Sequence, residues 1–235
     1  RSVWGPLSTT ISDEDATYTE LTNSGGHTVQ IASDYVLVEG FTIERFESVV
    51  RTAAIGNNNN PGLSHLEIRQ CNIEGYINNV LFTDVDVLSF IENEYTCQYD
   101  DNAIIFTNIS NSVFIDNTVR SYNRYGITGQ NITNFYVINS EFSFKRLSGI
   151  SIDTGNLIII TDSSFTDSET DGVFLNNSRN VGIINTAFEE NNVGIRFGDN
   201  VIARLEENSY SSNLRNIDRA ARIGEEGFIH YSQIQ

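Results

Sequence analysis

Residues 180–197 read Asn-Val-Gly-Ile-Ile-Asn-Thr-Ala-Phe-Glu-Glu-Asn-Asn-Val-Gly-Ile-Arg-Phe, and the features of this stretch return at a fixed distance along the chain. A pair made of a small residue or Asn and a β-branched one recurs as Asn79-Val80, Ala103-Ile104, Gly126-Ile127, Gly149-Ile150, Gly172-Val173, Gly194-Ile195 and Asn216-Ile217. The steps between the aliphatic members are 24, 23, 23, 23, 22 and 22 residues. Self-similarity at a fixed period of this size is the signature of a repeat architecture.

Two further apolar columns keep the same period. The first contains Val38, Ile68, Phe90, Phe114, Val137, Ile160, Ile183 and Leu205. The second lies five residues later and contains Ile43, Ile73, Tyr95, Val119, Phe142, Phe165, Phe188 and Tyr210. One step is longer because residues 56–62, Gly-Asn-Asn-Asn-Asn-Pro-Gly, insert a turn. The short β-rich runs predict an all-β solenoid, a parallel β-helix of about eight rungs stacked about 4.8 Å apart.

The repeat sets the predicted domain boundaries. Residues 27–220 are expected to form the β-helix. Residues 1–26 lack the repeat and are predicted to be an N-terminal cap or arm, because an open solenoid end exposes unpaired strand edges. Residues 221–235 are predicted to be a C-terminal cap or the start of a continuation. With no initiator Met and no signal peptide in the sequence, a mature protein or an excised domain is expected.

Asn and Asp residues punctuate the repeat at two places. One set, Asp116, Asn139, Asp162 and Asn185, precedes the second column by three residues, and Asn111, Asn134 and Asn180 precede the first column in the same way. Asn tolerates left-handed backbone and bonds its neighbours, so both sets are predicted to form tight corners whose side chains stack into ladders. The alternative is a polar binding row.

Three stretches carry a family resemblance: residues 180–197, residues 134–142 (Asn-Phe-Tyr-Val-Ile-Asn-Ser-Glu-Phe) and residues 33–43 (Ser-Asp-Tyr-Val-Leu-Val-Glu-Gly-Phe-Thr-Ile). They resemble the parallel β-helix repeat of the pectin-lyase-like superfamily over about residues 27–220. The resemblance implies a right-handed parallel β-helix. It leaves function open, because that superfamily is implied to include pectate lyases, polygalacturonases, alginate-acting enzymes, phage tailspikes and non-enzymatic surface proteins. The sequence lacks the polygalacturonase motif set, and the spacing of Arg120 and Arg124 does not match the pectate lyase pattern.

Composition excludes several partners. The net charge is -17, from 31 Asp and Glu against 14 Lys and Arg, which disfavours nucleic acid and anionic membranes. Lys145 is the only Lys, and this bias together with the acidity indicates adaptation to high salt or an acidic secreted protein. No apolar run reaches the roughly 18 residues of a membrane span.

Cysteine, histidine and glycosylation signals add little specific chemistry. Cys71 and Cys97 fall on neighbouring rungs at different register, so separate buried thiols are expected. His27, His65 and His230 lie far apart in the register, which disfavours a His-based metal or triad site. Three candidate glycosylation sequons begin at Asn108, Asn131 and Asn176, and they are consistent with an extracellular or cell-surface protein.

One charge-rich corner carries the candidate catalytic residues. Arg124, Lys145 and Arg146 could hold a uronate carboxylate, while Glu169 or Asp171 could act as the base or bind Ca²⁺. Weak Ca²⁺ candidates are Asp100, Asp101 and Asp171, and no other cofactor is expected. The alternative is a solvated corner with cross-rung ion pairs.

Outward-facing aliphatic residues form a candidate interface. Alternation along the strands places Ile91, Val113, Ile115, Tyr136, Ile138, Ile159 and Ile184 outside the core. A contiguous apolar patch usually marks an interface, here with another subunit, a neighbouring domain or the N-terminal arm. A register error of one residue would instead put these side chains in the core.

These observations favour a non-catalytic extracellular surface or assembly module that self-associates and contacts carbohydrate on its polar faces. Two alternatives stay open. One is a polysaccharide lyase or related enzyme acting on an acidic polysaccharide. The other is a fragment of a viral receptor-binding spike.

Overall fold

The computed structural model describes residues 9–12, 28–45, 53–57, 61–75, 78–97, 102–121, 124–144, 146–219 and 229–232. The strands within these ranges are β1 (Thr9–Ser12), β2 (Val29–Gln30), β3 (Leu37–Glu39), β4 (Phe41–Arg45), β5 (Ile55–Gly56), β6 (Leu63–Arg69), β7 (Asn72–Gly75), β8 (Val80–Ile91), β9 (Glu94–Cys97), β10 (Ile104–Ile115), β11 (Thr118–Ser121), β12 (Ile127–Ile138), β13 (Glu141–Phe144), β14 (Ile150–Thr161), β15 (Ser164–Thr166), β16 (Asp171–Ile184), β17 (Ala187–Glu189), β18 (Val193–Phe197), β19 (Ala203–Glu206), β20 (Ser209–Ser211), β21 (Arg215–Arg219) and β22 (Ile229–Ser232). Among the described residues, no helix is long and apolar enough to cross a membrane.

The strands form two parallel sheets that wind around one core. The first sheet has the order β1-β4-β7-β9-β11-β13-β15-β17-β20, and the second follows β2-β5-β8-β10-β12-β14-β16-β18-β21 with β3, β6, β19 and β22 joined to it. Each residue pairs with its equivalent one repeat later, as Ile127 does with Ile150 and Ile150 with Val173. The predicted parallel β-helix is therefore confirmed.

The strand ladder extends beyond residues 27–220 at both ends. Strand β1 pairs with β4 and places Ile11 opposite Ile43, so part of the predicted N-terminal cap continues the first sheet. Strand β22 pairs with β19, so residues 229–232 continue the second sheet. The other residues of both predicted end segments lie outside the described ranges.

The core includes the two predicted inward columns together with the aliphatic members of the recurring pair, such as Ile104, Ile127 and Ile150. The members of the two columns from Ile68 to Ile183 and from Ile73 to Phe188 are buried. In the second column the rings of Phe142, Phe165 and Phe188 stack with centroids 4.8 and 5.3 Å apart. The stack forms because the consecutive rungs from Phe142 to Tyr210 each place an aromatic side chain at one position, one strand spacing from the next.

The predicted corners adopt left-handed backbone. All seven Asn and Asp residues in the two corner sets have φ between 45 and 54°. Their side chains bond from rung to rung: Asn134 donates to Asn111 Oδ1 at 2.7 Å, and Asn185 donates to Asp162 Oδ1 at 2.7 Å. The ladder interpretation of these residues is confirmed.

A second polar ladder lies inside the solenoid, directly after the corner residues. The side chains of Asn117, Ser140 and Ser163 are buried there. Each accepts a hydrogen bond from the backbone N–H of the rung before it, at 2.9 Å from Asn93, 3.2 Å from Asn117 and 3.1 Å from Ser140. Buried amides at a corner need such acceptors, so this column stays polar although it faces the core.

Close backbone packing explains the small residue in the recurring pair. A Cβ at Gly149 would lie 2.6 Å from the carbonyl oxygen of Gly172, and one at Gly172 would lie 2.6 Å from that of Gly194. Cys71 and Cys97 are buried free thiols, as predicted.

Candidate functional site

An open groove of about 640 Å³ follows the edge of the first sheet. It crosses consecutive rungs and is lined by Asp116, Asn117, Thr118, Asn139, Ser140, Glu141, Asp162, Ser163, Ser164, Asn185, Ala187 and Ser209. From Asp116 to Asn185 it spans three rung spacings, or about 14 Å. Almost every lining side chain is polar, so the groove offers hydrogen bonds along its whole length.

The local sequence of each rung builds the groove. On the Asn139 rung, the corner residue turns the chain in left-handed backbone, Ser140 points inward, and Glu141 points outward at the start of β13. The pattern of a corner, an inward residue and an outward residue repeats every 23 residues, which gives the outward row Thr118, Glu141, Ser164 and Ala187. The turned corner and this row form the two sides of the groove.

The groove carries three carboxylates: Asp116, Glu141 and Asp162. Asp162 accepts hydrogen bonds from Asn185 Nδ2 at 2.7 Å and from Thr161 Oγ1 at 2.9 Å. The hydrogen bond from Asn185, with that from Thr161, lowers the pKa of Asp162. A general acid for glycoside cleavage needs a raised pKa, so Asp162 is suited to accept hydrogen bonds from a ligand rather than to protonate it.

The structure separates the candidate catalytic residues of the charged corner. Arg124, Arg146 and Glu169 are exposed, whereas Asp171 is buried. Lys145, Asp100 and Asp101 lie outside the described residues. The charge-rich corner therefore does not present all of its acidic groups on one accessible surface.

Asp171 is buried and has two side-chain partners. Arg196 Nε lies 2.8 Å from its Oδ1, and Ser148 Oγ donates to its Oδ2 at 3.3 Å. Burial raises the pKa of Asp171, while the charge of Arg196 opposes that shift. A carboxylate held in this way is poorly placed to reach a polymer or a hydrated cation, which disfavours the expected roles as base or Ca²⁺ ligand.

No metal site is formed by the described part of the chain. Nowhere in it do three His, Cys, Asp or Glu side chains come together with the geometry of metal ligands. His65 is exposed, and its ring stacks on that of Tyr35 with centroids 4.6 Å apart.

The structure places the predicted interface residues in two adjacent outward rows. Val113 pairs with Tyr136, which pairs with Ile159, and Ile115 pairs with Ile138 in the next row. Ile91 and Ile184 lie in the same row as Ile115. All seven side chains are half-buried on the outside of the second sheet, so the predicted register holds, and their role as an interface stays a prediction.

The side-chain amide of each of the three sequon asparagines donates a hydrogen bond to a side chain on the preceding rung. Nδ2 of Asn108 donates to Asp84 at 2.6 Å, that of Asn131 donates to Asn108 at 2.9 Å, and that of Asn176 donates to Asp153 at 2.8 Å. N-glycosylation would modify each of these nitrogen atoms. A structural role therefore competes with glycosylation at all three positions.

From the sequence, the corner residues of the groove were predicted as structural ladders, with a polar binding row as the alternative, and the other side of the groove was missed. Asp116, Asn139, Asp162 and Asn185 were identified by their period and residue type. Thr118, Glu141 and Ser164 gave no signal, because polar residues at outward strand positions are common whether or not they bind a ligand. The Asp171–Arg196 pair was also missed, since it depends on a side chain reaching across rungs.

Comparison with known proteins agrees with this architecture. A family model described as "Right handed beta helix region" matches residues 102–218. No curated protein is significantly similar to the chain in sequence. The comparison with known proteins therefore rests on the family model and on solved structures of similar fold.

Three solved structures share the fold at low identity. Full-length tailspike protein 2 from Escherichia coli O157:H7 bacteriophage CAB120 has a TM-score of 0.61 at 11% identity, covering 83% of this chain and 32% of its own. PfbA, a surface adhesin of Streptococcus pneumoniae, has a TM-score of 0.58 at 11% identity, covering 86% and 61%. The Agl-KA catalytic domain has a TM-score of 0.57 at 10% identity, covering 81% and 42%. The chain thus spans between 32% and 61% of these proteins, and likeness at such identity shows the fold alone.

Proposed function

We propose that this chain, a right-handed parallel β-helix whose residues 102–218 match the β-helix family model, is a non-catalytic surface module that binds a neutral glycan. The ligand lies in the groove along the first sheet. The observation that carries the proposal is the lining of that groove, in which carboxylates, amides and hydroxyls alternate over consecutive rungs.

The chemistry of the lining suits a ligand rich in hydroxyl groups. Asp116, Glu141 and Asp162 accept hydrogen bonds, while Asn139, Asn185 and the hydroxyl residues both donate and accept. The corner alternates between Asp and Asn, so the same corner residue type returns on every second rung, about every 9.6 Å. A polymer of regular repeat can therefore make recurring contacts along the groove.

Charge favours a neutral glycan over an acidic one. The chain carries a net charge of -17, and the groove adds three local carboxylates without an Arg or Lys among its lining residues. A polyuronate would be repelled both by this field and by the groove. The lyase alternative requires cations beside the substrate carboxylate, and the exposed Arg124 and Arg146 do not line this groove.

Two features support binding without cleavage. The pKa of Asp162 is lowered by its hydrogen bonds, and the group with a raised pKa, Asp171, is buried against Arg196 away from the groove. A surface location is supported by the tailspike and surface adhesin among the structures of similar fold. We accordingly place the protein outside the cell or on its surface.

The test is a glycan array of neutral and uronate-containing polysaccharides, probed with the wild type and two variants. Ser164→Tyr fills the groove, and Ser211→Tyr adds the same ring to an outward position of the first sheet that does not line it. We expect Ser164→Tyr to weaken binding of a neutral glycan at least about tenfold, and Ser211→Tyr to leave it unchanged.

Three results would contradict the proposal. One is equal loss of binding in both variants, and another is binding confined to uronates. The third is release of unsaturated or shortened sugars from a bound polysaccharide, which would show an enzyme instead.

A further inference from the structure

The outer surface of the second sheet carries two parallel rows that share one charge pattern. Row one contains Glu67, Ser89, Val113, Tyr136, Ile159, Gly182 and Arg204. Row two lies two residues further along each strand and contains Arg69, Ile91, Ile115, Ile138, Thr161, Ile184 and Glu206. We call this surface the apolar face. Its five middle rungs are largely aliphatic, and the two rungs that flank them each carry one Glu and one Arg. Strand β3 continues the rows beyond Glu67 and Arg69 with Leu37 and Glu39, and β22 continues them beyond Arg204 and Glu206.

The ends of the apolar face are paired within the chain. At one end Arg69 lies 2.8 Å from Glu39 and 3.2 Å from Glu67, and at the other end Arg204 pairs with Glu206. These charged side chains are partly exposed, and between them the middle of the face is free of ionisable groups except the phenol of Tyr136. An apolar patch with a charged rim is the anatomy of a protein–protein contact.

The charge pattern is complementary to itself. A two-fold axis along the solenoid brings row one of one copy against row two of the other at the same rung. Glu67 then meets Arg69 of the second copy, and Arg204 meets Glu206 of the second copy. No like charges meet within the two rows in this arrangement. The charge pattern of the apolar face therefore favours the same face of a second copy as its partner.

Side-chain size is also complementary in this arrangement. Ser89 meets Ile91 of the second copy, and Gly182 meets Ile184 of the second copy. Small residues opposite branched ones let two flat sheet faces interdigitate. The half-buried aliphatic residues of each copy would lose their remaining contact with water.

The other face-to-face two-fold axis, which runs across the solenoid, fits less well. It also sets Glu67 against an Arg, in this case Arg204 of the second copy. At the neighbouring corner, however, it sets Asp116 against Asp162 of the second copy. The axis along the solenoid does not set these two carboxylates against each other and so avoids this repulsion.

We propose that a second copy of this chain docks on the apolar face, with the two solenoids side by side and pointing the same way. The face measures about 34 by 14 Å from the strand spacings, so the contact would bury about 1,000 Å² in total. This is the lower end of specific interfaces and corresponds to a weak, concentration-dependent dimer. The inference does not rest on the proposed glycan binding, although the corner residues Asp116 and Asp162 lie between the groove and the apolar face.

The experiment is sedimentation equilibrium of the wild type over about 1–500 μM, a range that brackets a weak dimer. Tyr136→Asp places a charge at the centre of the face, and Thr128→Asp places one at an outward position of the same strand outside it. We expect the wild type to dimerise, Tyr136→Asp to weaken the dimer at least about tenfold, and Thr128→Asp to behave as the wild type. Thermal melts of each variant establish that the fold is retained.

A charge swap tests the arrangement and does not depend on the Tyr136 variant folding. Arg204→Glu alone should weaken the dimer, and adding Glu206→Arg to it should restore the dimer, because each swapped residue then meets the other across the axis while the pair within the chain is kept. A double variant that stays monomeric overturns the proposed arrangement. A wild type that is monomeric over the whole range, or that forms a trimer, overturns the proposal.

Discussion

At the scale of the residue, Asp171 shows how position in the solenoid decides what a charged side chain does. Its sequence context matches the exposed acidic residues near it, yet its carboxylate is buried against Ser148 and Arg196. Burial raises its pKa, and the negative charge of Asp218 adds to that effect. The folded protein therefore binds a proton at this site more tightly than the unfolded chain does.

The sign of the resulting pH dependence follows from linkage. A raised folded-state pKa contributes stability that is complete below the unfolded pKa of Asp and is lost as the pH rises through the folded pKa. We predict that the stability of the wild type relative to Asp171→Asn falls as the pH rises through that window. Urea unfolding of both proteins at several pH values measures the difference. The prediction is contradicted if the difference in the free energy of unfolding between the two proteins is constant, or if it changes in favour of the wild type toward neutral pH. Either result would show that burial is not the main effect on the pKa of Asp171.

At the scale of the element, each rung is held by its inward column. Phe165 stacks between Phe142 and Phe188 and is fully buried, so its truncation removes contacts with two neighbouring rungs at once. We predict that Phe165→Ala lowers the free energy of unfolding by about 3–5 kcal/mol. The matched control is Phe174→Ala, at a half-buried outward position, for which we expect a loss below about 2 kcal/mol. Urea unfolding measures the free energy of unfolding of both variants. Equal losses in the two variants would mean that the aromatic stack does not stabilise the fold more than an outward ring does.

The element scale also shows what the sequence could predict. Because equivalent residues stack directly, a period of 23 residues fixes the register, and the columns of Ile160, Phe165 and the corner Asp162 were located correctly. The outward row that includes Glu141 was not identified as part of a site. The type of a residue predicts whether its side chain faces water. Whether a groove forms beside that side chain depends on how the chain turns at the corner, and the repeat pattern of the sequence does not encode this turn.

At the scale of the whole molecule, the solenoid presents two long surfaces of opposite character. The groove on the first sheet is acidic and hydrogen-bonding, whereas the apolar face on the second sheet is aliphatic with charged ends. Docking of a second copy on the apolar face would place two grooves in one particle with the same polarity. Two linked sites of this kind bind a polymer more tightly than either site alone.

The net charge of -17 also acts at this scale, because it opposes the association of two copies over distances beyond the direct contact. Salt screens this repulsion. The aliphatic contacts in the middle of the apolar face are little affected by screening, whereas the Glu–Arg pairs at its ends are weakened.

The central claim is that the groove binds a neutral glycan without cleaving it, and the most direct measurement is NMR of the Asn side-chain amides during titration. The probe is the neutral oligosaccharide that gives the strongest array signal. The account predicts that the side-chain amides of Asn139 and Asn185 shift on binding, that those of Asn108, Asn131 and Asn176 at the other ladder positions stay in place, and that the oligosaccharide remains intact. Shifts centred on Asn108, Asn131 or Asn176, or the appearance of cleaved sugar in the sample, would contradict it.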